Sequence, residues 1–384
     1  PHGMKAFADK IRKIGLSFGL WFEPEMVNED SELYRTHPDY AVRLQSREPV
    51  LGRNQLVLDL CKREVRDYIV EQVSTVLDEA GISYVKWDMN RHIAEAFSSA
   101  LDNQGEFFHR YMIGLYEVLT RIFIPRPHIL LESCSSGGNR FDLGMLCFSP
   151  QIWCSDDTDP IERLKIQAGL SYFYPQSTPH QQTLQETSLA TRFHAACFGC
   201  LGYELDLKYL SPEQKKDIAD QIAFYKQYRE IFQYGRVYRI KSYKDNKVIW
   251  EVISKDRATA LTGFFQTLAS AAESSDKLKV TGLKEGMYTI RTRPQRLYIE
   301  RFGGLTKHIL PVELNPDGML LRIANRHYSL QDCVEQYTCS AQGLESGIPL
   351  SEQFIGTGYN DKVRMLGDFG SNMYIISAED GNAP

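Results

Sequence analysis

The run SYVKWDMNRHI, residues 83–93, decides the fold class, because it has the pattern of a buried strand that ends in an acidic residue. Side chains alternate across a strand, so Tyr84, Lys86 and Asp88 share one face and the apolar residues between them share the other. In a parallel α/β barrel the outer face packs on helices, while the inner face meets a lumen whose carboxyl-terminal rim tolerates charged groups. The pattern therefore predicts a barrel strand with Asp88 at the rim.

Lys86 lies one layer below Asp88 in this predicted strand. A neighbouring ammonium favours the charged form of a carboxyl group, which suits a nucleophile or an electrostatic stabiliser better than a proton donor. The alternative is a purely structural ion pair between the two side chains.

The strand at 84–88 belongs to a longer alternation of strand-like and helical segments. β-type runs occur at residues 15–22, 84–88, 128–134, 151–156 and 201–207. An amphipathic segment predicts a helix over residues 62–80, which Gly81 ends. Such alternation indicates parallel strands joined by crossover helices.

The pattern changes after a helix that begins with the capping sequence SPEQ, residues 211–214, and ends near Gly235. Short β-rich runs separated by turn residues then follow, namely KVIWEVI (247–253), GMYTIRT (286–292), RLYIERF (296–302), GMLLRI (318–323) and MYIIS (373–377). Their period and punctuation favour an antiparallel sandwich. We therefore predict two domains, residues 1–237 and 238–384.

The composition argues against several classes of partner. The chain has 384 residues, a formal net charge of −5 and dispersed charges, so it offers no basic stripe for nucleic acid or anionic membranes. No stretch approaches the ~18 apolar residues of a membrane span. The eight cysteines are scattered, which favours reduced thiols and a cytoplasmic location over a disulfide framework. The pair in CFGC, residues 197–200, lacks the second pair that a zinc site needs.

A second acidic cluster, WCSDDTDPIERL at residues 153–164, contains three aspartates. Asp159 precedes a proline and stands three residues before a glutamate, the pattern of a helix N-cap. Asp156 ends the predicted strand and so corresponds to Asp88, whereas Asp157 would turn away from the lumen or lie in the loop above it. Two carboxyl groups on separate strands of one barrel mouth are able to flank a glycosidic bond, and a separation of about 5–5.5 Å would indicate a retaining mechanism.

Further residues suit a sugar site, each with a structural alternative. In ESCSSGGNRFD, residues 132–142, Gly137 and Gly138 let backbone N–H groups approach a ligand closely, although the same pair suits an ordinary tight turn. Trp21, near a strand end, is either a stacking platform for a pyranose ring or a core residue. Arg53 is either a clamp on sugar hydroxyls or a solvated surface arginine.

Taken together, these motifs resemble bacterial α-galactosidases of glycoside hydrolase family 36. The resemblance runs over nearly the whole chain and rests on GLWFEPEMVN, RNQLVLDL, YVKWDMNRH, ESCSSGG, IWCSDDTDPIERLKIQ, FGCLGYELDL, EQFIGTGYN and LGDFGS. It implies a (β/α)8 barrel followed by a C-terminal antiparallel β-sandwich. It also implies hydrolysis of terminal α-linked galactose from melibiose- or raffinose-type oligosaccharides by double displacement, without a cofactor or a metal, in a parent protein that is a homo-oligomer.

The resemblance assigns roles by position. Asp88 corresponds to the nucleophile and Asp156 to the acid/base. The galactose-binding shell would comprise Trp21, Arg53, Lys86, Asn90, Cys134, Gly137 and Gly138.

The chain also departs from the family pattern. Family members carry an N-terminal β-domain and two barrel strands before the point at which this chain begins, which leaves an incomplete barrel of about six βα units here. The segment between YPQST and TRF is shorter than in the family and altered, with PHQQTLQETSLA at residues 179–190. Asn139 and Leu143 stand where the family has Gly and Pro.

Two alternatives stay open. A catalytically impaired galactoside-binding fragment would need N-terminal strands from elsewhere for activity. A metal-dependent barrel enzyme would use Asp88, Glu132 and Asp156 as ligands of a hard divalent ion, although no histidines stand at strand ends to assist them.

Overall fold

The computed structural model describes residues 3–44, 46–175, 179–181, 187–269, 276–298, 318–327, 329–352, 364 and 366–379. The chain divides into two compact units, Pro1–Asp156 and Asp157–Pro384, which we call the first and the second unit. The predicted domain boundary between residues 237 and 238 stays a prediction.

The first unit alternates strands and helices as expected. Its strands are β1 (Gly19–Phe22), β2 (Met26–Val27), β3 (Leu56–Val57), β4 (Tyr84–Asp88), β5 (Leu130–Cys134) and β6 (Gln151–Trp153). Its helices are α1 (Gly3–Lys13), α2 (Glu32–Thr36), α3 (Arg63–Ala80), α4 (Phe107–Phe123) and α5 (Leu143–Leu146). Strands β1, β4, β5 and β6 form a parallel sheet in that order, while β2 and β3 pair antiparallel. The predicted parallel strands with crossover helices are therefore confirmed.

Helix α3 shows how the sequence pattern becomes packing. Val65, Ile69, Val73 and Leu77 form one buried stripe at helical spacing, and Gly81 ends the helix with a φ of 61°. This left-handed conformation favours glycine because it has no Cβ. The stripe packs in one core with the outward-facing side chains of β4 and β5. Each such aliphatic side chain stabilises the fold by about 2 kcal/mol through burial.

The second unit contains the remaining elements. Its helices are α6 (Pro160–Leu170), α7 (Leu189–Cys197), α8 (Pro212–Tyr234), α9 (Met319–His327) and α10 (Ala341–Ser346). Its strands are β7 (Pro179–Gln181), β8 (Cys200–Leu201), β9 (Arg236–Lys241), β10 (Lys247–Ile253), β11 (Thr259–Gln266), β12 (Lys277–Leu278), β13 (Met287–Thr292), β14 (Arg296–Tyr298), β15 (Ser329–Gln331), β16 (Gln336–Ser340), β17 (Ile348–Pro349) and β18 (Gly370–Ala378). Strands β7 and β8 are parallel.

The C-terminal part of the second unit is antiparallel, as predicted. Six strands form one sheet in the order β16-β13-β18-β11-β10-β9, and two-stranded ribbons join β12 to β17 and β14 to β15. One face of the large sheet packs on Leu278, Leu344 and Leu350, which lie outside it. The capping box at Ser211 and Gln214 is present and begins α8, which confirms that helix start.

One predicted strand of this region is wrong. Within GMLLRI, residues 319–323 form the start of helix α9. Leucine, methionine and arginine have high helix propensity, so the local preference was helical despite the apolar run. Parts of other predicted motifs fall outside the described residues, namely 299–302 of RLYIERF, 353–360 of EQFIGTGYN, and 176–178 and 182–186 of the altered segment.

Among the residues that the structure describes, no helix is both long enough and apolar enough to span a bilayer. All eight cysteines lie in the described part of the chain, and no disulfide joins any of them there.

Candidate active site

Asp88 lies at the carboxyl end of β4 and is 5% exposed. Its Oδ2 accepts hydrogen bonds from Trp21 Nε1 at 3.1 Å and from Asn90 Nδ2 at 2.7 Å. Its Oδ1 accepts the backbone N–H of Met89 at 2.9 Å. Three N–H donors therefore fix both oxygens of a buried carboxylate, and such charge-assisted bonds are stronger than neutral ones.

Asn90 connects Asp88 to the loop after β5. Its Nδ2 also donates to Glu23 Oε1, and its Oδ1 accepts the backbone N–H of Ser136 at 3.1 Å and the Ser136 hydroxyl at 3.2 Å. Because every polar atom of the amide has a partner, the side chain has one preferred orientation. That orientation sets the Asp88 carboxylate relative to the glycine loop.

Arg53 reaches the same cluster from a tight hairpin. Its Nη1 donates to Glu23 Oε1 at 2.8 Å. Gly52 and Gln55 exchange backbone hydrogen bonds of 3.2 and 3.0 Å, and the two residues between them, Arg53 and Asn54, have φ values of 54° and 59°. Two-residue hairpins of this kind favour Asn or Gly, so the left-handed arginine costs roughly 1–3 kcal/mol. The turn thus holds Arg53 next to Glu23 at a conformational cost.

Lys86 does not form the structural ion pair with Asp88 that was the alternative interpretation of this strand. Its Nζ lies 3.4 Å from Glu132 Oε1 and 4.6 Å above the ring of Trp153. Lys86 and Glu132 are register partners on β4 and β5. Residues two apart on one strand are separated by about 6.6 Å along it, whereas register partners lie about 5 Å apart. Lys86 therefore pairs with the carboxylate of Glu132 on the neighbouring strand and not with that of Asp88.

Asp156 does not end a strand, although the sequence predicted that it would. Strand β6 stops at Trp153, and Asp156 is an exposed residue of the segment that follows. Its Oδ1 accepts the indole N–H of Trp153 at 2.8 Å. The carboxyl is therefore tied to the strand end through a side chain instead of through strand pairing.

Gly137 and Gly138 let their loop pack closely on the segment that follows β6. A Cβ on Gly138 would lie 2.6 Å from the carbonyl oxygen of Cys154, and one on Gly137 would lie 2.9 Å from Ser155 Cα and 3.0 Å from the Asp156 nitrogen. The loop thus packs directly on the backbone of residues 154–156, and Gly137 has a φ of 83°. Both glycines therefore permit close backbone-to-backbone packing at this point.

Cys134 is the register partner of Asp88 at the end of β5 and is 1% exposed. Burial and the nearby Asp88 carboxylate raise the pKa of the Cys134 thiol to about 12. The thiol therefore stays protonated at neutral pH, which makes it a weak hydrogen-bond donor beside Asp88.

A buried ion pair beneath the site escaped the sequence reasoning. The fully buried Glu25 accepts Arg140 Nη1 at 2.7 Å and Nη2 at 2.9 Å, together with Trp87 Nε1 and the Tyr111 hydroxyl, both at 2.8 Å. Burial alone would raise the pKa of Glu25, but Arg140 and these donors together lower the pKa below its ordinary value. The second glutamate of FEPE was the available signal, because a carboxylate that becomes buried needs a partner.

The remaining sequence predictions concern Asp159 and metal binding. Asp159 caps α6 by accepting the backbone N–H groups of Ile161 and Glu162 at 2.8 and 3.1 Å, which confirms its structural role. Within the described ranges, no three His, Cys, Asp or Glu side chains are grouped closely enough to hold a metal ion. Asp88, Glu132 and Asp156, the ligands that the metal-dependent alternative would need, therefore do not form such a group.

Comparison with known proteins gives two family matches and many relatives. The model described as Melibiase matches residues 1–235, and that described as Glycosyl hydrolase family 36 C-terminal domain matches residues 247–376. Alpha-galactosidase AgaA of Geobacillus stearothermophilus is 48% identical over 294 residues, which is 74% of this chain and 40% of the relative. Alpha-galactosidase Mel36A of Lactobacillus acidophilus is 44% identical over 293 residues, again 74% of this chain and 40% of the relative. The chain thus spans about 40% of the length of these curated relatives.

Solved structures agree with these matches. The crystal structure of AgaA aligns with 99% of this chain and 47% of its own, at a TM-score of 0.80 and 38% identity. The alpha-galactosidase of Lactobacillus brevis aligns with 100% of this chain and 47% of its own, at a TM-score of 0.82 and 34% identity. Together with the family matches, they confirm the predicted fold class, a partial (β/α)8 barrel followed by a C-terminal antiparallel β-sandwich.

Proposed function

Since the chain belongs to glycosyl hydrolase family 36, we propose that it acts as a retaining α-galactosidase on melibiose- and raffinose-type oligosaccharides. The observation that carries this proposal is the buried Asp88 carboxylate, held by three N–H donors at a strand end beside the exposed ring of Trp21. Solved forms of AgaA are described as complexes with raffinose and with stachyose, which supports the substrate class.

The first step forms a bond between the enzyme and the sugar. An oxygen of Asp88 attacks the anomeric carbon of galactose, and the bond from that carbon to the glycosidic oxygen breaks. The electron pair of the broken bond goes to the glycosidic oxygen, which takes the proton of Asp156. The products are a galactosyl ester of Asp88, an ionised Asp156 and the free leaving alcohol.

The second step hydrolyses this ester. Asp156 removes a proton from water while the water oxygen attacks the anomeric carbon, and the bond to Asp88 breaks with its electron pair returning to the carboxylate. Both aspartates regain their starting forms. Two inversions at the same carbon give galactose with the original α configuration.

The remaining site residues would bind the galactose ring. Trp21 is 52% exposed and bonded to Asp88 through its N–H, so its free ring face is available for stacking on the sugar. Lys86, Arg53 and Asn90 would bind hydroxyl groups, and the neutral Cys134 thiol would contact the ring near Asp88. The loop at Gly137 and Gly138 would contribute by fixing the backbone around Asp156.

The test is Asp88→Asn in two contexts. One is this chain alone, and the other is a chimera in which the chain replaces the structurally matching part of AgaA. We expect release of galactose from p-nitrophenyl α-galactoside to fall about a thousandfold or more, because the nucleophile is lost. Asp102→Asn, an exposed loop position, is the matched control. Near-normal turnover by D88N, or product that is first the β-anomer by NMR, would overturn the proposal.

A galactoside-binding piece without hydrolysis is the second candidate, favoured by the partial coverage of the relatives' length. Calorimetric titration of the 384-residue chain with galactose, followed by a day of incubation with melibiose, separates the two. Binding without galactose release supports the second candidate, and turnover by the isolated chain rules it out.

Location and assembly complete the proposal. We propose a cytoplasmic location, which eight cysteines without a disulfide support, and a homo-oligomeric assembly. Sedimentation equilibrium of the chain and of the chimera tests the second point, since a monomer in both would contradict it.

A further inference from the structure

Each of the two candidate carboxyl groups accepts an indole N–H. Trp21 donates to Asp88 at 3.1 Å, and Trp153 donates to Asp156 at 2.8 Å. We propose that Trp153 is a positioning residue for Asp156, holding Oδ1 so that the transferable proton resides on Oδ2. This inference rests on the proposed function, because it assumes that Asp156 is the acid/base.

Trp153 is itself rigidly placed. It is the last residue of β6 and is 3% exposed. The Lys86 ammonium lies 4.6 Å above the ring, and Glu132 holds that ammonium from the neighbouring strand at 3.4 Å. Burial at the end of β6 and the cation above the ring restrict the indole, and its N–H points at Asp156.

Asp156, in contrast, has little else to fix it. The residue is exposed and follows the end of the strand. Over the part of the chain that is described, its side chain makes no hydrogen bond other than the one from Trp153. Without that bond the carboxyl would sample several rotamers, and proton transfer requires a fixed geometry of about hydrogen-bond length.

The bond assigns different tasks to the two oxygens. Oδ1 is occupied by a donor and so is not the oxygen that carries the proton. In the first step the Oδ2–H bond breaks and the proton joins the glycosidic oxygen as the glycosidic bond breaks. In the second step Oδ2 takes a proton from water. A poor leaving group depends on this protonation, whereas an activated phenol leaves without it.

The activity test compares two leaving groups in Trp153→Phe, which keeps an aromatic ring and removes the N–H. For melibiose, whose leaving alcohol needs protonation, we expect kcat/KM to fall about 10- to 100-fold, mainly through kcat. For 2,4-dinitrophenyl α-galactoside the fall should be no more than about threefold. Both assays use the chain and the AgaA chimera.

The matched control is Trp87→Phe. Trp87 is equally buried at 1% exposure, and its N–H donates to Glu25, away from the proposed chemistry. Loss of that N–H should lower the stability of the fold but change kcat/KM for both substrates by the same factor. Asp156→Asn should show the same selectivity as W153F, only larger.

A second measurement needs no turnover. The chain has four tryptophans, so its ¹⁵N spectrum contains four indole cross-peaks, which Trp→Phe variants assign. We expect Asp156→Asn to move the Trp153 cross-peak and leave that of Trp21, and Asp88→Asn to do the reverse.

The outcomes separate the two levels of the argument. If D156N lowers kcat/KM equally on both substrates, Asp156 is not the acid/base and the proposed function is wrong in that role. If D156N is selective but W153F is not, or if D156N leaves the Trp153 cross-peak in place, the positioning role is wrong while the proposed function stands. Selectivity in both variants together with the cross-peak shift supports the inference.

Discussion

Replacing Glu251 by glutamine is expected to remove a pH dependence from the stability of the C-terminal sheet. Glu251 lies on β10, is 0% exposed and faces the apolar cluster that contains Ile249 and Ile253. Its Oε1 accepts the backbone N–H of Thr281 at 3.2 Å, and its Oε2 has no hydrogen-bond partner among the residues described. Lys247, the cation on the same face of this strand, is already paired with a carboxylate at 2.6 Å.

The sign follows from the two states of this carboxyl. Burial raises the pKa of Glu251 from 4.5 to about 8, opposed only by the Thr281 N–H. The unfolded chain therefore loses the proton near pH 4.5, while the folded chain keeps it until about pH 8. The stabilisation is complete below pH 4.5 and lost as the pH approaches 8, with a slope of about 1.4 kcal/mol per pH unit. The total over this interval is on the order of 5 kcal/mol.

The assay is urea unfolding of the wild type and Glu251→Gln between pH 5 and pH 9, followed by tryptophan fluorescence, to which the neighbouring Trp250 contributes. The glutamine keeps the Thr281 bond but does not titrate. We expect the free energy of unfolding of E251Q to increase relative to that of the wild type as the pH rises, and the difference to become constant above pH 8. Glu345→Gln, at an exposed position of α10, should give a flat difference. A flat difference for E251Q as well would refute the reasoning, since Glu251 would then ionise alike in both states.

Two further changes test the supports of the site. Arg140→Met leaves Glu25 buried without its cation, so we expect denaturant titration to show a loss of about 3–5 kcal/mol in the free energy of unfolding. The loss should be smaller when Glu25→Gln is added. A loss below ~1 kcal/mol for Arg140→Met alone would show that Glu25 finds another partner. Gly138→Ala forces a Cβ to within 2.6 Å of the Cys154 oxygen, so we expect the free energy of unfolding to fall by about 1–3 kcal/mol. Gly169→Ala in α6 has open space around the new Cβ and should raise the free energy of unfolding by about 0.5–1 kcal/mol. Equal effects of the two substitutions would contradict the packing role of Gly138.

The sequence predicted those features that depend on local periodicity. The stripe of α3, its end at Gly81 and the capping box at Ser211 are each decided by residues within one or two turns of helix. The helix at residues 319–327 is the exception. A short apolar run has no clear helical or strand period, so only intrinsic propensity distinguishes the two structures there.

Contacts between strands could not be predicted in the same way. Alternation placed Lys86 and Asp88 on one face, but the partner of Lys86 depends on the register of β4 against β5, which brings Glu132 opposite it. The contacts of the glycine loop could not be predicted either. Its composition suited either a ligand or a turn, and only the structure shows that the two glycines let the loop pack closely on the backbone of residues 154–156.

The two carboxyl groups are held in ways that suit different tasks. A nucleophile forms its bond along one line to one carbon, so a rigid carboxylate is favourable, and Asp88 is buried with N–H donors on both oxygens. An acid/base serves two partners in turn, the leaving oxygen and then water, which reach the same atom at different moments. Asp156 is exposed and held at one oxygen, which fixes the group in place while the other oxygen stays available to both. This asymmetry is a physical reason, separate from sequence similarity, for assigning attack to Asp88 and proton transfer to Asp156.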